Sequence, residues 1–206
     1  MNICEIFFSL QGESTRAGLP CIFIRLAECN LRCSYCDTQY SYDKAQDMGI
    51  DRILEEIRPY NSTLVEITGG EPLLQPDALE LMRRLKTAGY TILLETNGSQ
   101  SIQAVPAGVH IIIDVKTPSS GHPDSFHLPN LRWLEQGRDE IKFVVSDRAD
   151  FDFAQNFIQA HKLENHILLI SPVSGKQDPA LLAGWIMESG LPLRLNLQLH
   201  KILNLK

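Results

Sequence analysis

The sequence lacks several features that mark large classes of proteins. It has no excess of basic residues, since the formal net charge is -6 and the pI is near 5.5. The electrostatic attraction that dominates nucleic-acid binding is therefore missing, and a small-molecule partner is favoured over DNA or RNA. No apolar stretch approaches the length of a bilayer-spanning helix, and Glu5 interrupts the N-terminal apolar run where a signal peptide would continue. We therefore expect a soluble, cytoplasmic protein that binds no membrane.

Internal repeats, linkers and low-complexity segments are also absent. The 206 residues are 44% hydrophobic, which is enough for a substantial core and excludes a disordered or fibrous chain. We expect residues 1–206 to form a single domain. Five cysteines, three of them in one short stretch, fit a reducing compartment better than a disulfide framework. Cys4 and Cys21 lie in apolar runs, where we expect them to pack as small hydrophobic side chains.

The stretch C-N-L-R-C-S-Y-C is the most informative part of the chain. Its thiols belong to Cys29, Cys33 and Cys36, which are separated by three and then by two residues. Thiolates this close together repel one another unless a metal or disulfides neutralise them. A closed zinc site normally takes four ligands, whereas three thiolates suit an iron-sulfur cluster with one iron left open. The spacing favours the cluster and leaves zinc as an alternative.

Apolar runs alternate with amphipathic stretches along the rest of the chain. Strands are expected at 3–8, 20–27, 63–68, 90–95, 109–115, 140–145, 166–171 and 193–199, and helices near 50–58, 77–88, 150–161 and 178–189. This alternation indicates a parallel sheet covered by helices. The helices are fewer and shorter than an eightfold barrel requires, so we predict an α/β fold, an incomplete TIM-like β/α barrel of mostly parallel strands. The irregular stretch 117–130 is expected to be a mobile loop.

Seven motifs follow the predicted strands at their carboxyl ends. They are C-N-L-R-C-S-Y-C, T-G-G-E-P, E-T-N-G, D-V-K-T-P, V-V-S-D, S-P-V-S-G and Q-L-H-K. In parallel α/β folds this edge of the sheet carries the site. The two glycines of T-G-G-E-P would let the backbone approach a ligand closely, although the motif alone could equally be a tight strand-to-helix turn.

Several of these residues also have simpler explanations. Asn97 could hydrogen-bond a ribose or only form a turn. Asp114 and Lys116 point to the same face of the sheet and could be an ordinary ion pair. Arg25 could pair with Glu28 at the rim of the sheet.

The same holds for one threonine and for the histidines. Thr38 could cap a turn or a short helix. His200 could be a core histidine, although its motif at the sheet edge favours a place in the site. His122 and His127 lie in the irregular stretch, where we expect them to be solvated.

A cysteine loop of the form C-x3-C-x2-C after one strand, followed by G-G-E-P at the end of the next, resembles the radical S-adenosylmethionine superfamily. The resemblance implies a radical SAM core with a [4Fe-4S] cluster on Cys29, Cys33 and Cys36. The open iron is then chelated by the amino and carboxylate groups of S-adenosylmethionine. The residues expected around that cofactor are Tyr35, Asp37, Gly70, Glu71, Asn97, Asp114, Val115, Lys116, Ser171, Pro172, Val173 and Ser174.

The residues that flank the cysteines resemble a narrower family, 7-carboxy-7-deazaguanine synthase. The resemblance is carried by F-S-L-Q-G-E-S-T-R-A-G-L-P-C-I-F-I-R-L, C-N-L-R-C-S-Y-C-D-T and the ending L-Q-L-H-K-I-L-N-L-K. It implies conversion of 6-carboxy-5,6,7,8-tetrahydropterin to 7-carboxy-7-deazaguanine and ammonia, on the route to queuosine and other 7-deazapurines. It also implies that a 5'-deoxyadenosyl radical takes a hydrogen from C6 of the pterin and that the ring then contracts. Because this chemistry belongs to the cofactor, we assign no catalytic residue.

The same resemblance implies roles for individual residues. Arg25 pairs with the substrate carboxylate, Thr38 ligates a Mg2+ ion that the substrate also holds, and the terminal carboxylate of Lys206 lies near the pterin amino groups. With His200 included, the expected substrate-binding residues are Leu10, Gln11, Gly12, Glu13, Arg25, Thr68, His200 and Lys206. The family also implies a homodimer and an external reductant such as a flavodoxin or ferredoxin.

Two other functions stay open at the level of sequence. A glycyl-radical-enzyme activase shares the cysteine loop and a similar size, but Q-G-E and the C-terminal motif fit a small buried substrate better. A non-catalytic zinc-binding module would use the same thiols without a cluster. Such a module would be colourless after anaerobic purification, because it lacks the absorption of an iron-sulfur centre at about 400 nm.

Overall fold

One nine-stranded sheet runs through the computed structural model, which describes residues 1–206. The strands are β1 (Asn2–Leu10), β2 (Pro20–Leu26), β3 (Gln46–Asp47), β4 (Leu64–Gly69), β5 (Thr91–Thr96), β6 (His110–Asp114), β7 (Glu140–Val145), β8 (Ile167–Pro172) and β9 (Leu193–Leu195). Their order is β3-β1-β2-β4-β5-β6-β7-β8-β9. β1 is antiparallel to both of its neighbours, and every pair from β2 to β9 is parallel. The edge strands β3 and β9 do not pair, which confirms the predicted incomplete barrel.

The helical layer over this sheet is sparse. The helices are α1 (Ile50–Ile57), α2 (Asp77–Thr87), α3 (Arg148–His161), α4 (Pro179–Ser189) and α5 (Leu199–Ile202). Short 3-10 helices lie at Gln39–Ser41, Pro72–Leu74, Pro118–Ser120 and Leu128–Trp133. The crossovers from β5 to β6 and from β6 to β7 contain no α-helix, so the layer is too small to close a full barrel. None of the helices is long and apolar enough to cross a membrane.

Helix α2 illustrates how the sequence pattern builds this layer. Its buried side chains, Ala78, Leu81, Met82 and Leu85, recur three or four residues apart and therefore share one face. Acidic residues occupy its first turn and basic residues its last, which matches the helix dipole. The apolar face packs on β4 and β5 in a cluster of 16 buried side chains.

Alternation along the parallel strands separates an apolar outer face from a polar inner face. Along β2, Ile22, Ile24 and Leu26 pack in the core beneath the helices, whereas Phe23 and Arg25 line a cavity on the other face. A second outer core joins β7 and β8 to α3 and α4. The inner face is thus left free to carry the site.

A small apolar cluster lies on the inner face and forms the base of that cavity. Cys21, Phe23, Leu93 and Ile112 belong to it, and Phe7 stacks on Phe23 with the ring centroids 4.8 Å apart. Cys21 is fully buried there, as expected for a core thiol. The next inward residue along β2, β4, β5 and β6 is charged in every case. In the sheet register Glu66 lies opposite Phe23 and Leu93, and Glu95 lies opposite Ile112, so ionisable side chains border the apolar base.

The C-terminal run 193–199 differs from the prediction. It was expected to be one strand, but the strand ends at Leu195 and α5 follows after a short turn. The reason is Asn196, whose side chain donates to Ser171 Oγ at 2.8 Å and accepts from Ser14 N at 2.9 Å. These buried contacts fix Asn196, whose amide still donates to Ile170 O at 2.8 Å, at the point where β9 ends.

The stretch 117–130 is packed against its neighbours rather than irregular throughout. Asn130 is fully buried, and its Nδ2 donates to Gly98 O at 3.1 Å and to Gln100 O at 2.9 Å. His122 Nε2 accepts a hydrogen bond from Arg32 N at 3.1 Å in a solvent-exposed position. The stretch is thereby joined to both the end of β5 and the cysteine loop.

Candidate active site

A cavity of about 260 Å³ lies on the inner face, at the carboxyl ends of the parallel strands. Side chains from the β1–β2 connection, the cysteine loop, the strands and the C-terminal segment line it. Each of the seven motifs found in the sequence contributes at least one lining residue. The volume suits a small molecule.

The cysteine loop forms one wall of this cavity. Cys29, Cys33 and Cys36 are free and half-buried, and all three line it. The loop is held in place by Ser34, whose amide donates to Ser120 O at 3.1 Å. The thiols are therefore presented to the cavity by a loop that the following segment supports.

These thiols fit a cluster better than a single zinc ion. A closed zinc site gathers four ligands around one point. No group of three or more His, Cys, Asp or Glu side chains in the chain is placed to hold one metal ion. Three cysteines facing a cavity are the donor set of a cluster that keeps one iron open.

The glycines of T-G-G-E-P serve the packing of the cysteine loop. A Cβ at Gly69 would lie 2.1 Å from Leu26 O, and one at Gly70 would lie 1.8 Å from Glu28 O. Gly70 N donates to Leu26 O at 3.0 Å, and Glu71 N donates to Glu28 O at 2.8 Å. The sequence predicted that these glycines let the backbone approach a ligand. In the structure they let it pack against the backbone that leads into the cysteine loop. Gly70 also lines the cavity.

Glu71 lies behind the cavity wall rather than in it. Its buried carboxyl accepts from Leu73 N at 3.0 Å, Thr96 Oγ1 at 2.8 Å and Asn97 N at 2.7 Å. Burial raises the pKa of Glu71 against the effect of these hydrogen bonds. The side chain fixes the end of β5 and so positions Asn97, whose Nδ2 lies 3.7 Å from Cys29 Sγ.

Two sets of ion pairs cross the inner face. Lys142 Nζ contacts Glu95 Oε1 and lies 3.2 Å from Glu13 Oε2, and Lys116 Nζ lies 2.7 Å from Asp114 Oδ2. Burial would lower the pKa of Lys142, but Glu13 and Glu95 outweigh it and raise the pKa. Burial would likewise raise the pKa of Glu95, but Lys142 lowers it to about 2. Lys142 and Glu95 are therefore charged at neutral pH.

Asp114 has one carboxylate oxygen without a partner. Lys116 contacts Oδ2, whereas Oδ1 is buried and forms no hydrogen bond. A buried acceptor without a hydrogen bond lowers the stability of the folded protein unless a donor reaches it. Asp114 lines the cavity together with Cys33, so a bound molecule with a polar hydrogen beside the thiols would supply that donor.

Arg25 is held at the cavity by Glu5. The Nε atom of Arg25 lies 3.0 Å from Glu5 Oε1, and Lys206 Nζ lies 2.7 Å from Glu5 Oε2. The ion pair that the sequence suggested for Arg25 is present, but its partner is Glu5 and not Glu28, which accepts from Asn2 Nδ2 at 2.7 Å. Since Glu5 engages only Nε, the two terminal guanidinium nitrogens are left for a ligand.

Asp37 and Thr38 follow the last cysteine and touch each other. Thr38 Oγ1 donates to Asp37 Oδ1 at 2.9 Å and makes no capping hydrogen bond to the 3-10 helix that begins after it. Both residues line the cavity. Burial would raise the pKa of Asp37, but Lys201 outweighs it and lowers the pKa.

The C-terminal segment closes on the Q-G-E sequence of the β1–β2 connection. Leu199 N donates to Gly12 O at 2.9 Å, and a Cβ at Gly12 would lie 2.1 Å from His200 Nδ1. Gln198 Nε2 donates to Glu13 Oε1 at 2.7 Å. His200 is half-buried and lines the cavity, so it is not a core histidine.

Comparison with known proteins assigns this arrangement to a family. Residues 24–133, more than half of the chain, match the model of the Radical SAM superfamily. The chain belongs to the radical SAM superfamily. Members of this superfamily use a [4Fe-4S] cluster and S-adenosylmethionine. The three thiols and the unpartnered oxygen of Asp114 fit these two groups.

Relatives of this radical SAM chain match it from end to end. A 7-carboxy-7-deazaguanine synthase of Koribacter versatilis is 45% identical over 219 residues, covering 98% of this chain and 96% of that protein. One from Chlorobaculum tepidum is 43% identical, covering 98% and 93%. The chain therefore also belongs to the 7-carboxy-7-deazaguanine synthase family.

Solved structures agree with the radical SAM fold. The crystal structure of QueE from Escherichia coli superposes with a TM-score of 0.80 at 24% identity, covering 97% of this chain and 94% of that one. Streptococcus suis SuiB bound to S-adenosylmethionine gives a TM-score of 0.55 at 14% identity, covering 81% and 44%. At these identities the likeness concerns the fold.

Most of the predicted site residues of this radical SAM chain line the cavity, and four do not. The four are Glu71, Val115, Ser171 and Pro172. Sheet alternation explains Val115, since its neighbours Asp114 and Lys116 face the cavity while Val115 packs in the outer core. Ser171 accepts from Asn196, and Pro172 is buried as the last residue of β8.

Sequence reasoning missed three charged residues of the radical SAM cavity. Glu66, Glu95 and Lys142 all line it. Each is the one charged residue inside an otherwise apolar or hydroxyl-bearing strand core, in T-L-V-E-I-T, T-I-L-L-E-T and I-K-F-V-V. A charge in the middle of a buried strand requires partners and marks a functional face, and that signal could have found them.

Proposed function

We propose that this chain is a 7-carboxy-7-deazaguanine synthase that converts 6-carboxy-5,6,7,8-tetrahydropterin to 7-carboxy-7-deazaguanine and ammonia. The observation that carries the proposal is that cysteine thiols and charged side chains line the same cavity. Three thiols form one wall, and charged inward side chains of the parallel strands form the other. The end-to-end similarity to synthases of that name supports the assignment.

Cys29, Cys33 and Cys36 are the residues that would hold the cluster. Asp114, Lys116 and the other lining residues beside the thiols would hold S-adenosylmethionine, whose polar hydrogens match the free Oδ1 of Asp114. When bound, the two groups supply the radical chemistry. The protein contributes orientation, because a substrate fixed near the reacting group loses little entropy on reaching the transition state.

Arg25 and Thr38 bind the carboxylate end of the substrate in this proposal. Glu5 fixes the guanidinium through Nε, and its free edge suits bidentate capture of a carboxylate. The Thr38 hydroxyl, on the same cavity, would contribute one oxygen ligand to a Mg2+ ion that the carboxylate shares. Mg2+ prefers oxygen ligands and keeps several waters, so a single protein ligand suffices.

Gln11, Glu13 and Lys206 bind the other polar edges of the pterin. Glu13 is held by Lys142 and Gln198, which leaves its carboxylate in a fixed place on the wall. Lys206 is tied to Glu5 and brings the C-terminus to the cavity. Together they offer the donors and acceptors that a pterin ring requires.

The test is turnover by the reconstituted, reduced protein with the carboxypterin, S-adenosylmethionine and Mg2+. Formation of 7-carboxy-7-deazaguanine and ammonia is expected, and Arg25→Gln should raise KM strongly. Arg83→Gln is the matched control, because Arg83 lies on the exposed face of α2 and pairs only with Glu80. A loaded wild-type protein that makes no deazaguanine would contradict the function, and radical transfer to a glycine of a partner protein would support the activase instead.

We further propose the setting in which the enzyme works. Residues 1–206 fold as a single domain, the protein is a cytoplasmic homodimer, and its electron comes from a flavodoxin or ferredoxin. Gel filtration showing a monomer at working concentration would exclude the dimer. Turnover with dithionite but with neither protein donor would exclude those reductants.

A further inference from the structure

Five side-chain carboxyl groups line the cavity, and only one of them lacks a cation. The paired ones are Asp37 with Lys201, Asp114 with Lys116, and both Glu13 and Glu95 with Lys142. Glu66 forms no ion pair. It is also the most deeply placed, 4% exposed on the inner face of β4.

The surroundings of Glu66 are apolar on both neighbouring strands. In the sheet register it lies opposite Phe23 on β2 and Leu93 on β5, both members of the apolar base of the cavity. Moving an unpaired carboxylate into such a place costs several kcal/mol, so the group takes up a proton instead.

The charged groups that face Glu66 do not reverse this preference. Burial and the charge of Glu95 raise the pKa of Glu66 well above its usual value, and Glu13 raises it further. Lys142 opposes them, but its ammonium is already held by Glu95 and Glu13. Arg25, on the neighbouring strand, is held by Glu5.

Gln11 determines which oxygen of Glu66 carries the proton. The Oε1 atom of Gln11 accepts from Glu13 N at 3.0 Å, which fixes the orientation of its amide. Its Nε2 therefore donates to Glu66 Oε2. The carbonyl oxygen of a neutral acid is a stronger acceptor than its hydroxyl oxygen, so this hydrogen bond favours the proton on Oε1. The hydrogen bond from Gln11 to Oε2 is the only one that the chain makes to this carboxyl group, so Oε1 is left for a ligand.

We propose that Glu66 is a further substrate-contacting residue, a neutral carboxylic acid that donates a hydrogen bond from Oε1 to an acceptor atom of the substrate ring. This inference rests on the proposed function. A pterin offers ring-nitrogen lone pairs and a carbonyl oxygen as acceptors. A carboxylate at this position would repel those atoms, whereas the neutral acid binds them.

Two substitutions distinguish a neutral donor from a carboxylate. Glu66→Gln keeps the length and neutrality of the acid, with an NH2 group to donate and a carbonyl to accept from Gln11. We expect it to lower kcat/KM by less than about 5-fold, and Glu66→Ala to lower it by about 10- to 100-fold, mainly through KM, because a buried hydrogen bond is lost. Glu95→Gln is the contrast: it removes a charge paired with Lys142 and should cost more than Glu66→Gln.

A spectroscopic readout tests the protonation state without turnover. Difference infrared spectra of the loaded wild-type protein minus Glu66→Gln at neutral pH should show the C=O stretching band of a neutral carboxyl. Absence of that band, equal impairment of the Gln and Ala variants, or an Ala variant that matches wild type would each overturn the inference. Failure of the wild-type protein to form product contradicts the proposed function instead, and it is seen before any variant is compared.

Discussion

Lys201 and Asp37 form an ion pair between α5 and the cysteine loop, with Lys201 Nζ 2.5 Å from Asp37 Oδ2. The residue before Lys201 is His200, and the residue after Asp37 is Thr38; both line the cavity. The pair therefore ties the last helix of the chain to the loop that carries the thiols. With the hydrogen bond from Leu199 N to Gly12 O and the ion pair of Lys206 with Glu5, it is one of several contacts that hold the C-terminal segment at the cavity.

We expect Lys201→Met to weaken substrate binding most at low pH. Lys201 lowers the pKa of Asp37 in the folded protein, so the pair is present above the ordinary carboxyl range and is lost as pH falls through the lowered pKa. Without Lys201 the pKa rises and Asp37 is neutralised at a higher pH. Because both side chains are partly exposed, the loss of stability should stay below about 1 kcal/mol.

The measurement for Lys201→Met is KM for the carboxypterin as a function of pH, beside a thermal unfolding curve. The KM of the variant should begin to rise at a higher pH than that of wild type. Arg58→Met is a suitable control, because Arg58 is exposed at the end of α1 and forms no ion pair. Identical pH profiles for Lys201→Met and wild type would show that the bridge has no role in binding.

Gly12→Ala should displace the C-terminal segment. The added Cβ would lie 2.1 Å from His200 Nδ1 and 3.0 Å from His200 N, so the backbone of α5 as well as the imidazole must shift. We expect kcat/KM to fall at least about tenfold, since a shift of this size misplaces substrate contacts. Limited proteolysis should cut the C-terminal segment faster than in wild type.

Gly184→Ala provides the matched control for that substitution. Gly184 lies inside α4, and a Cβ there would meet nothing within 4 Å. Replacing a helical glycine by alanine should raise the free energy of unfolding by up to about 1 kcal/mol and leave activity unchanged. Equal activity of the Gly12 and Gly184 variants would contradict the contact between the Q-G-E sequence and His200.

Replacement of any one of the three loop cysteines by alanine should abolish the cluster. Cys29, Cys33 and Cys36 line the cavity, whereas Cys4 is buried in β1 and does not line it. We expect the three loop variants to lose iron and the absorbance at about 400 nm, and Cys4→Ala to keep both. Metal analysis after anaerobic reconstitution makes the comparison. Stoichiometric zinc and a colourless wild-type protein would support the zinc-binding module.

Much of the fold could be predicted because its strands carry their pattern locally. The run E-I-K-F-V-V predicted β7 with its observed ends, Glu140–Val145, and α2 was predicted to within one residue at Thr87. The seven motifs were recognised as one site because the carboxyl ends of parallel strands share an edge. Each of these inferences needed only neighbouring residues or a rule of topology.

The remainder depended on contacts that no local pattern carries. Lys142 meets Glu95 and Glu13 only because three separate elements are brought into register on the inner face. Asn196 ends β9 through partners on β8 and the β1–β2 connection. Sequence spacing does not encode such pairings, so the partners of the inward charged side chains were found only in the folded chain.

The contribution of Glu66 to the free energy of unfolding should fall as pH rises. Its pKa is raised in the folded state above the unfolded value of about 4.3, so the folded protein binds the proton more tightly. This contribution is complete below the unfolded pKa and is lost progressively up to the folded pKa. Glu66→Gln cannot ionise, so its stability relative to wild type should grow with pH above about 4.3, by up to about 1.4 kcal/mol per pH unit, and then level off. Urea unfolding of both proteins between about pH 4 and 8 measures the difference. A difference between Glu66→Gln and wild type that stays constant over this range would mean that Glu66 titrates normally, and the neutral acid at the base of the cavity would have to be abandoned.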